Sequence, residues 1–302
     1  MNIHVRAFFV ILELTNVRYI SIIVESFQTV TDEHCLFFIF GDTYMRIVIK
    51  IGTSTLAHST GLVNLRRVEQ LVHVVADLKN AGHEIVLVSS GSIGIGAGKL
   101  GLKKRPDDIP GKQACASVGQ CELMYIYDKL FSQYNHTVSQ VLLTHDVVDV
   151  PERKQNVINT FERLLQMSVL PIVNENDAVS TEEIAFGDND TLSAIVGQLV
   201  KADLLVILSD IDGLYDMPPQ GHPEAKLIPF VGEITNEIIA AAGGSGSSLG
   251  TGGMATKIQA AKIAMDSGFA MSLIHGGNPD LLYDVVEGKP VGTRFEKKLV
   301  NK

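Results

Sequence analysis

The sequence predicts an α/β protein built on a central, mainly parallel sheet with both faces covered. Three observations predict it. Strand-like and helix-like stretches alternate along the chain, the strand-like ones are almost continuously apolar, and the loops that follow them are small, polar or acidic. Unbroken apolar strands suit a sheet buried on both sides, and strand–helix alternation is the pattern of parallel crossover units.

Taken in order, Arg46-Ile47-Val48-Ile49-Lys50-Ile51 is a β-branched run that stops at Gly52, which reads as the first clear strand. Asn64 then caps a helix to Ala81, with Leu65, Val68, Leu71, Val72, Val75 and Leu78 on one face and Gly82 as its stop. Residues 84–89 form a second apolar strand, followed by the glycine-rich stretch 90–98. A long helix is expected over 112–134, a strand over 138–143, a helix over 152–167 and a strand over 169–173. Residues 191–201 read as helix, 204–209 as strand, 255–267 as helix and 269–274 as strand. Pro218-Pro219-Gln220-Gly221-His222-Pro223 reads as a hairpin-like excursion rather than a domain linker.

Residues 1–44 stand apart. Apolar bursts at 7–12, 19–24 and 35–40 are separated by Glu13, Arg18, Glu25 and Asp32-Glu33-His34. None reaches the roughly 20 apolar residues of a membrane span, and the stretch lacks the order of features of a signal peptide. It is either an appended strand or two, or upstream sequence that is not native protein. Met45, directly before the first clear strand, is then a candidate start.

Composition narrows the function. With 302 residues, 46% hydrophobic and 20% charged, the chain is ordinary for one large globular domain or two smaller ones. A net charge of −9 with no long basic block argues against nucleic acid as partner. Cys35, Cys115 and Cys121 form neither a disulfide framework nor a zinc spacing, so a reducing cytoplasm is the expected compartment.

In parallel sheets ligands collect beyond the strand C-terminal ends. The loops there are Gly52-Thr53-Ser54, Ser89-Ser90-Gly91-Ser92, Asn174-Glu175-Asn176-Asp177, Ser209-Asp210-Ile211-Asp212-Gly213 and His275-Gly276-Gly277. Another candidate is Gly250-Thr251-Gly252-Gly253-Met254-Ala255-Thr256-Lys257, glycine-rich and opening onto a helix. Unpaired N–H groups at a helix start, glycines that allow close approach and a lysine together suit a phosphate. The competing reading is a flexible surface loop, since Gly243-Gly244-Ser245-Gly246-Ser247-Ser248 precedes it.

Familiar nucleotide motifs do not fit. Gly98-Lys99 lacks the first glycine and the hydroxyl of a P-loop, and two forced dinucleotide fingerprints, starting at Gly96 and Gly250, lack a strand immediately before them. What remains is Lys50 at the end of the first strand and Lys257 at the start of a late helix. Between them in sequence lies Gly187-Asp188-Asn189-Asp190-Thr191. Phosphoryl transfer is mostly positioning and charge stabilisation, so two lysines facing one migrating group, steadied by a carboxylate, make chemical sense. The plainer readings are a solvated strand end for Lys50 and a helix N-cap for Asp190.

Six stretches, in order, resemble the amino acid kinase family, and within it the glutamate-phosphorylating kinases. They are Ile49-Lys50-Ile51-Gly52-Thr53-Ser54, Val88-Ser89-Ser90-Gly91-Ser92, Val173-Asn174-Glu175-Asn176-Asp177-Ala178-Val179, Phe186-Gly187-Asp188-Asn189-Asp190, Leu208-Ser209-Asp210-Ile211-Asp212-Gly213-Leu214-Tyr215 and 250–257. The resemblance covers residues 45–295 and implies a three-layer α/β/α sandwich. It implies ATP-dependent phosphorylation of the L-glutamate γ-carboxylate to L-glutamyl 5-phosphate, the first step of proline biosynthesis, with Mg2+ carried by the nucleotide phosphates. By motif position, Lys50 and Lys257 would stabilise the moving phosphoryl group and Asp190 would orient them. Ser90, Asp177 and Asn189 would hold glutamate. Ser209 and Asp210, with Thr251, Gly252, Gly253, Met254, Ala255, Thr256 and Lys257, would line the nucleotide site. Asp188 and Asn174 are further candidates without an assigned role. No residue is assigned as a metal ligand.

Only residues 296–302 follow the matching region, too few for the small PUA domain that many relatives carry, so effects of that domain are not expected. A homo-oligomer is the family expectation, as is hand-off of the labile acyl phosphate to a reductase. The rival readings are a sister kinase acting on aspartate or acetylglutamate, and a nucleotide-binding regulatory or storage protein without turnover.

Overall fold

The computed structural model describes residues 6–14, 17–25, 44–58, 60–179, 189–242 and 253–297. The chain divides into two compact units, Met1–Met45 and Arg46–Lys302. In the first, β1 (Arg6–Leu14) pairs antiparallel with β2 (Val17–Glu25), with Arg6 opposite Glu25 and Leu14 opposite Val17.

The second unit holds an eight-stranded sheet. Its strands are β3 (Arg46–Ile51), β4 (Glu84–Val88), β5 (Val138–Leu143), β6 (Leu170–Glu175), β7 (Leu204–Ser209), β8 (Phe230–Val231), β9 (Ala270–His275) and β10 (Thr293–Phe295), in the spatial order β5-β6-β4-β3-β7-β9-β10-β8. Every pairing is parallel except that of β9 with β10. The central strands are buried along almost their whole length, as their unbroken apolar sequences require.

Side-chain alternation along those strands builds two cores. Val48, Val86, Val88, Leu205 and Ile207 face one way, against α5 (Pro151–Gln166), α6 (Asn189–Val200) and α8 (Met254–Ser267) through Phe161, Ala194 and Ile258. Ile47, Ile49 and Ile51 are fully buried on the other side, the layer of α2 (Leu65–Asn80) and α4 (Ile109–Phe131). The result is the three-layer α/β/α sandwich.

Local chemistry accounts for the boundaries. The Asn64 side chain accepts from Arg67 N at 3.3 Å to start α2, and Gly82 follows its end at φ +104. Asp108 caps α4 by accepting from Gly111 N at 2.8 Å, which starts that helix at Ile109 rather than at residue 112. Its last turn tightens into a 3-10 segment, Ser132–Tyr134. The proline-rich excursion is pinned at its base by an antiparallel bridge between Tyr215 and Leu227.

Among the described residues, four short α-helices lie outside the sequence expectation: α1 (Thr53–Leu56), α3 (Ser92–Lys99), α7 (Asn236–Ala242) and α9 (Leu281–Val286). The most informative is α3, because its sequence reads as a glycine loop. Its glycines serve packing instead. A Cβ on Gly96 would overlap the Cys115 carbonyl of α4, and one on Gly119 would overlap the Ser92 carbonyl of α3. The two helix backbones therefore touch where each lacks a side chain, and Lys99 closes the far end with an ion pair to Glu122.

Candidate active site

The strand order puts β3 in the middle, so its C-terminal end is flanked by the ends of β4 and β7. Lys50, the penultimate residue of β3, shares the side-chain face of Val48 and points toward the layer of α6 and α8. Asp190 lies in the first turn of α6 and Lys257 in the first turn of α8. Three sequence-distant segments thus meet over one strand end.

Their contacts are close. Lys50 Nζ lies 2.6 Å from Asp190 Oδ1, and Lys257 Nζ donates to Asp190 Oδ2 at 3.0 Å. Thr256 Oγ1 donates to the same Oδ2 at 3.1 Å and lies 2.8 Å from the Gly253 carbonyl. Asp190 is fully buried, and Lys50 and Lys257 are 6% and 5% exposed. The reading of Lys50 as a solvated strand end is thereby excluded, as is that of Asp190 as a mere cap. Two ammonium groups around one carboxylate leave this trio with a net positive charge. Its position at the start of α6 also suits the carboxylate, since that helix end is electropositive. Ion groups this buried are costly unless paired, and here both cations share the Asp190 carboxylate.

A neutral cluster adjoins on the β4 and β6 side. Asn189 Nδ2 lies 2.6 Å from the Ser89 carbonyl, 2.9 Å from Ser90 Oγ and 2.9 Å from Asn174 Oδ1. Asn174, buried at the end of β6, also accepts from Glu175 N at 2.9 Å and donates through Nδ2 to Gln120 Oε1 of α4 at 2.9 Å. Asp177 accepts from Ser92 Oγ at 2.5 Å, which ties the acidic loop after β6 to the start of α3. Beneath the Ser89 loop, Tyr127 of α4 shares a 3.1 Å hydrogen bond with Ser89 Oγ. Burial pushes that phenol up to about 12, an effect the Ser89 bond only partly opposes.

On the opposite side of β3, Ser209 ends β7, buried, with its Oγ donating to the exposed Asp210 at 3.1 Å and its carbonyl accepting from Gly276 N at 2.7 Å. Gly253 precedes α8 in an extended conformation without a side-chain cap, so Met254, Ala255 and Thr256 sit in that helix's first turn. Orphan N–H groups there are suited to a phosphate. Thr251, Gly252 and Asp188 lie outside the described residues, as does the serine-glycine run 243–248.

The structure therefore gathers Lys50, Asp190 and Lys257 into one cluster, and Ser90 and Asn189 into the next. Asn189 and Asp190, adjacent in sequence, join the two. Asp177 is held by Ser92 on the loop beyond Asn174. Sequence reasoning missed Gln120, Ser92 and Tyr127. Gln120 and Tyr127 had a legible signal, being polar positions in the apolar helical stripe of Ala116, Gly119, Leu123 and Phe131 on α4.

Comparison with known proteins concerns the chain as a whole. A sequence model of the amino acid kinase family matches residues 45–274. A glutamate 5-kinase of Clostridium perfringens is 55% identical over 257 residues, covering 84% of this chain and 96% of its own. One from Listeria innocua is 52% identical over 257 residues, with coverages of 84% and 93%. Among solved structures, carbamate kinase from Giardia lamblia bound to AMP-PNP superposes with a TM-score of 0.60 at 14% identity, covering 85% of this chain and 100% of that one. UMP kinase from Bacillus anthracis gives 0.57 at 17% identity, with coverages of 85% and 97%. At such identities the structural matches speak for the fold, whereas the sequence matches speak for kinship. The chain belongs to the amino acid kinase family.

Proposed function

We propose that the chain transfers the γ-phosphoryl group of ATP to the γ-carboxylate of L-glutamate, yielding L-glutamyl 5-phosphate and ADP. The observation that carries this reading is the Lys50–Asp190–Lys257 cluster, set between a polar amide cluster on one side and the Ser209 and Gly253 loops on the other. Relatives named glutamate 5-kinase at 52–55% identity point to the substrate.

In this reading the two ammonium groups stabilise the charge on the migrating phosphoryl group, and Asp190 holds both in register. Glutamate's γ-carboxylate is already ionised at neutral pH, so no general base is needed to create the nucleophile. Ser90, Asn189 and Asp177 hold the amino acid, the Asp177 carboxylate suiting its ammonium group. Ser209, Asp210 and residues 251–257 line the nucleotide. Mg2+ would arrive on the nucleotide phosphates and share their charge; no group of three or more candidate ligands occurs among the described residues, and Mg2+ usually relies on substrate phosphates with one or two carboxylates. The catalytic unit spans residues 45–295, and we place the reaction in the cytoplasm, in a self-associating enzyme that passes its labile product to a reductase. No helix among the described residues is long and apolar enough to cross a membrane.

Purified protein with ATP and Mg2+ should release ADP on addition of L-glutamate, and hydroxylamine should trap the acyl phosphate as a hydroxamate. Preference for aspartate or acetylglutamate would replace the substrate assignment. ATP binding with no turnover of any of the three would favour a regulatory or storage role.

A further inference from the structure

Hydrogen-bond polarity in the amide cluster identifies one more substrate-binding group. Two backbone groups anchor it. The Glu175 N–H can only donate, so the Asn174 atom facing it at 2.9 Å is an oxygen. The Ser89 carbonyl can only accept, so the Asn189 atom facing it at 2.6 Å is a nitrogen. Asn174 then presents Nδ2 to Gln120, which must answer with Oε1. With its oxygen committed, Gln120 turns Nε2 away from Asn174. That nitrogen is buried and has no hydrogen-bond partner among the described residues, on a side chain only 8% exposed. A buried amide donor left unpaired is costly, and such groups in native proteins call for an occupant.

We propose that Gln120 Nε2 donates to the α-carboxylate of the amino-acid substrate. The inference rests on the kinase reading above and adds a residue to it. Strand order supplies the direction. Lys50 marks the transfer centre on β3, whereas Asn174 is the penultimate residue of β6, two strands away, which is about 10 Å at ordinary strand spacing. An amino acid whose side-chain carboxylate lies at the lysines therefore places its α-carbon end at the amides. There the substrate meets groups of matching polarity. Asn189 turns Nδ2 toward Ser89, Ser90 and Asn174, so Oδ1 is the atom of that amide able to accept from an ammonium group. Asp177 contributes a carboxylate toward the same end, and Gln120 contributes the donor that a carboxylate needs. A zwitterionic head group satisfies all three, whereas an N-acylated one lacks the ammonium protons.

Q120E is the decisive variant. It keeps an oxygen for Asn174 to donate to, replaces the proposed substrate donor with an acceptor and adds a negative charge that would repel a substrate carboxylate there. The Michaelis constant for L-glutamate should rise at least tenfold, the loss expected for a hydrogen bond to a charged group, with that for ATP within about twofold of the parent value. A glutamate KM within twofold of the parent in a folded Q120E protein would overturn the proposal. Should Q120E fail to fold, the unaltered protein decides. On titration with L-glutamate alone, the Gln120 side-chain amide resonances should shift, and resonances that stay fixed through saturation would sink the idea. If the parent protein does not phosphorylate glutamate at all, it is the kinase reading that falls.

Discussion

At the transfer centre two lysines share one buried carboxylate, while toward β4 and β6 three amides and a hydroxyl hold their places with no net charge at all. Burying the charged trio carries a large desolvation cost, which each ion offsets only through its partners. The amides cost far less to bury, but hydrogen-bond polarity dictates which atom each one turns outward. Charge is concentrated where electrons move, and neutral groups serve where a ligand has only to be held. Removing a member of the first set should therefore damage turnover and stability together. Removing a member of the second should act chiefly on affinity.

The largest effect is expected from D190A. It leaves two buried ammonium groups without their shared anion, which should cost about 3–5 kcal/mol of stability and cut kcat by roughly a thousandfold or more. Chemical denaturation and glutamate-dependent ADP release measure the two; a D190A protein with parental kcat would break the contrast at its charged end. K257M comes next. Asp190 keeps Lys50 and Thr256, so the fold should survive while kcat falls by about 10²–10³-fold, the loss typical of one stabilising donor. A change confined to the ATP KM would instead make Lys257 a binding group.

N174A tests the neutral end. It removes the link between Gln120 and Asn189, and the glutamate KM should rise about tenfold with kcat changed less than threefold. Equal losses in both would mean that the amides, too, act in the transition state. The smallest effect belongs to Y127F, which deletes the phenol under the Ser89 loop at a cost of about 1 kcal/mol near neutral pH. The phenol's folded value, about 12 against an ordinary 10.0, means the native state retains this proton while the unfolded chain has lost it. Stability from this group is thus present below pH 10 and declines as pH rises toward 12. The gap between parent and Y127F in denaturation midpoint should close over that interval.

Much of this was readable in the residues themselves. Apolar runs such as 46–51 and 204–209 can be little other than buried strands, and Asn64 and Gly82 bracket α2 by side-chain and backbone preferences that act locally. Lys50, Asp190 and Lys257 were legible as candidates because two lysines and a carboxylate at element ends suit the charge of a migrating phosphoryl group. Helix α3 was not, since four glycines and a serine in 91–98 carry a loop's local preference. Only contact with α4 reveals that Gly96 and Gly119 are there to let two backbones touch. Gln120 stood out as a polar position in an apolar stripe, but its role was hidden for a related reason. Its meaning depends on Asn174, 54 positions away, and no local pattern encodes which amide atom faces which.

The two lysines also differ in what supports them. Lys50 is hydrogen-bonded into the sheet between Val88 and Ile207, so its Cα cannot shift without unzipping neighbours on both sides. Lys257 rides on a helix that begins only three residues earlier, at Met254. Adding or deleting a single residue between the two would swing its ammonium around the helix axis by about 100°. The first lysine is therefore an anvil and the second a hammer whose aim is set by its distance from the helix start, so a length change there should silence the protein while leaving its fold intact.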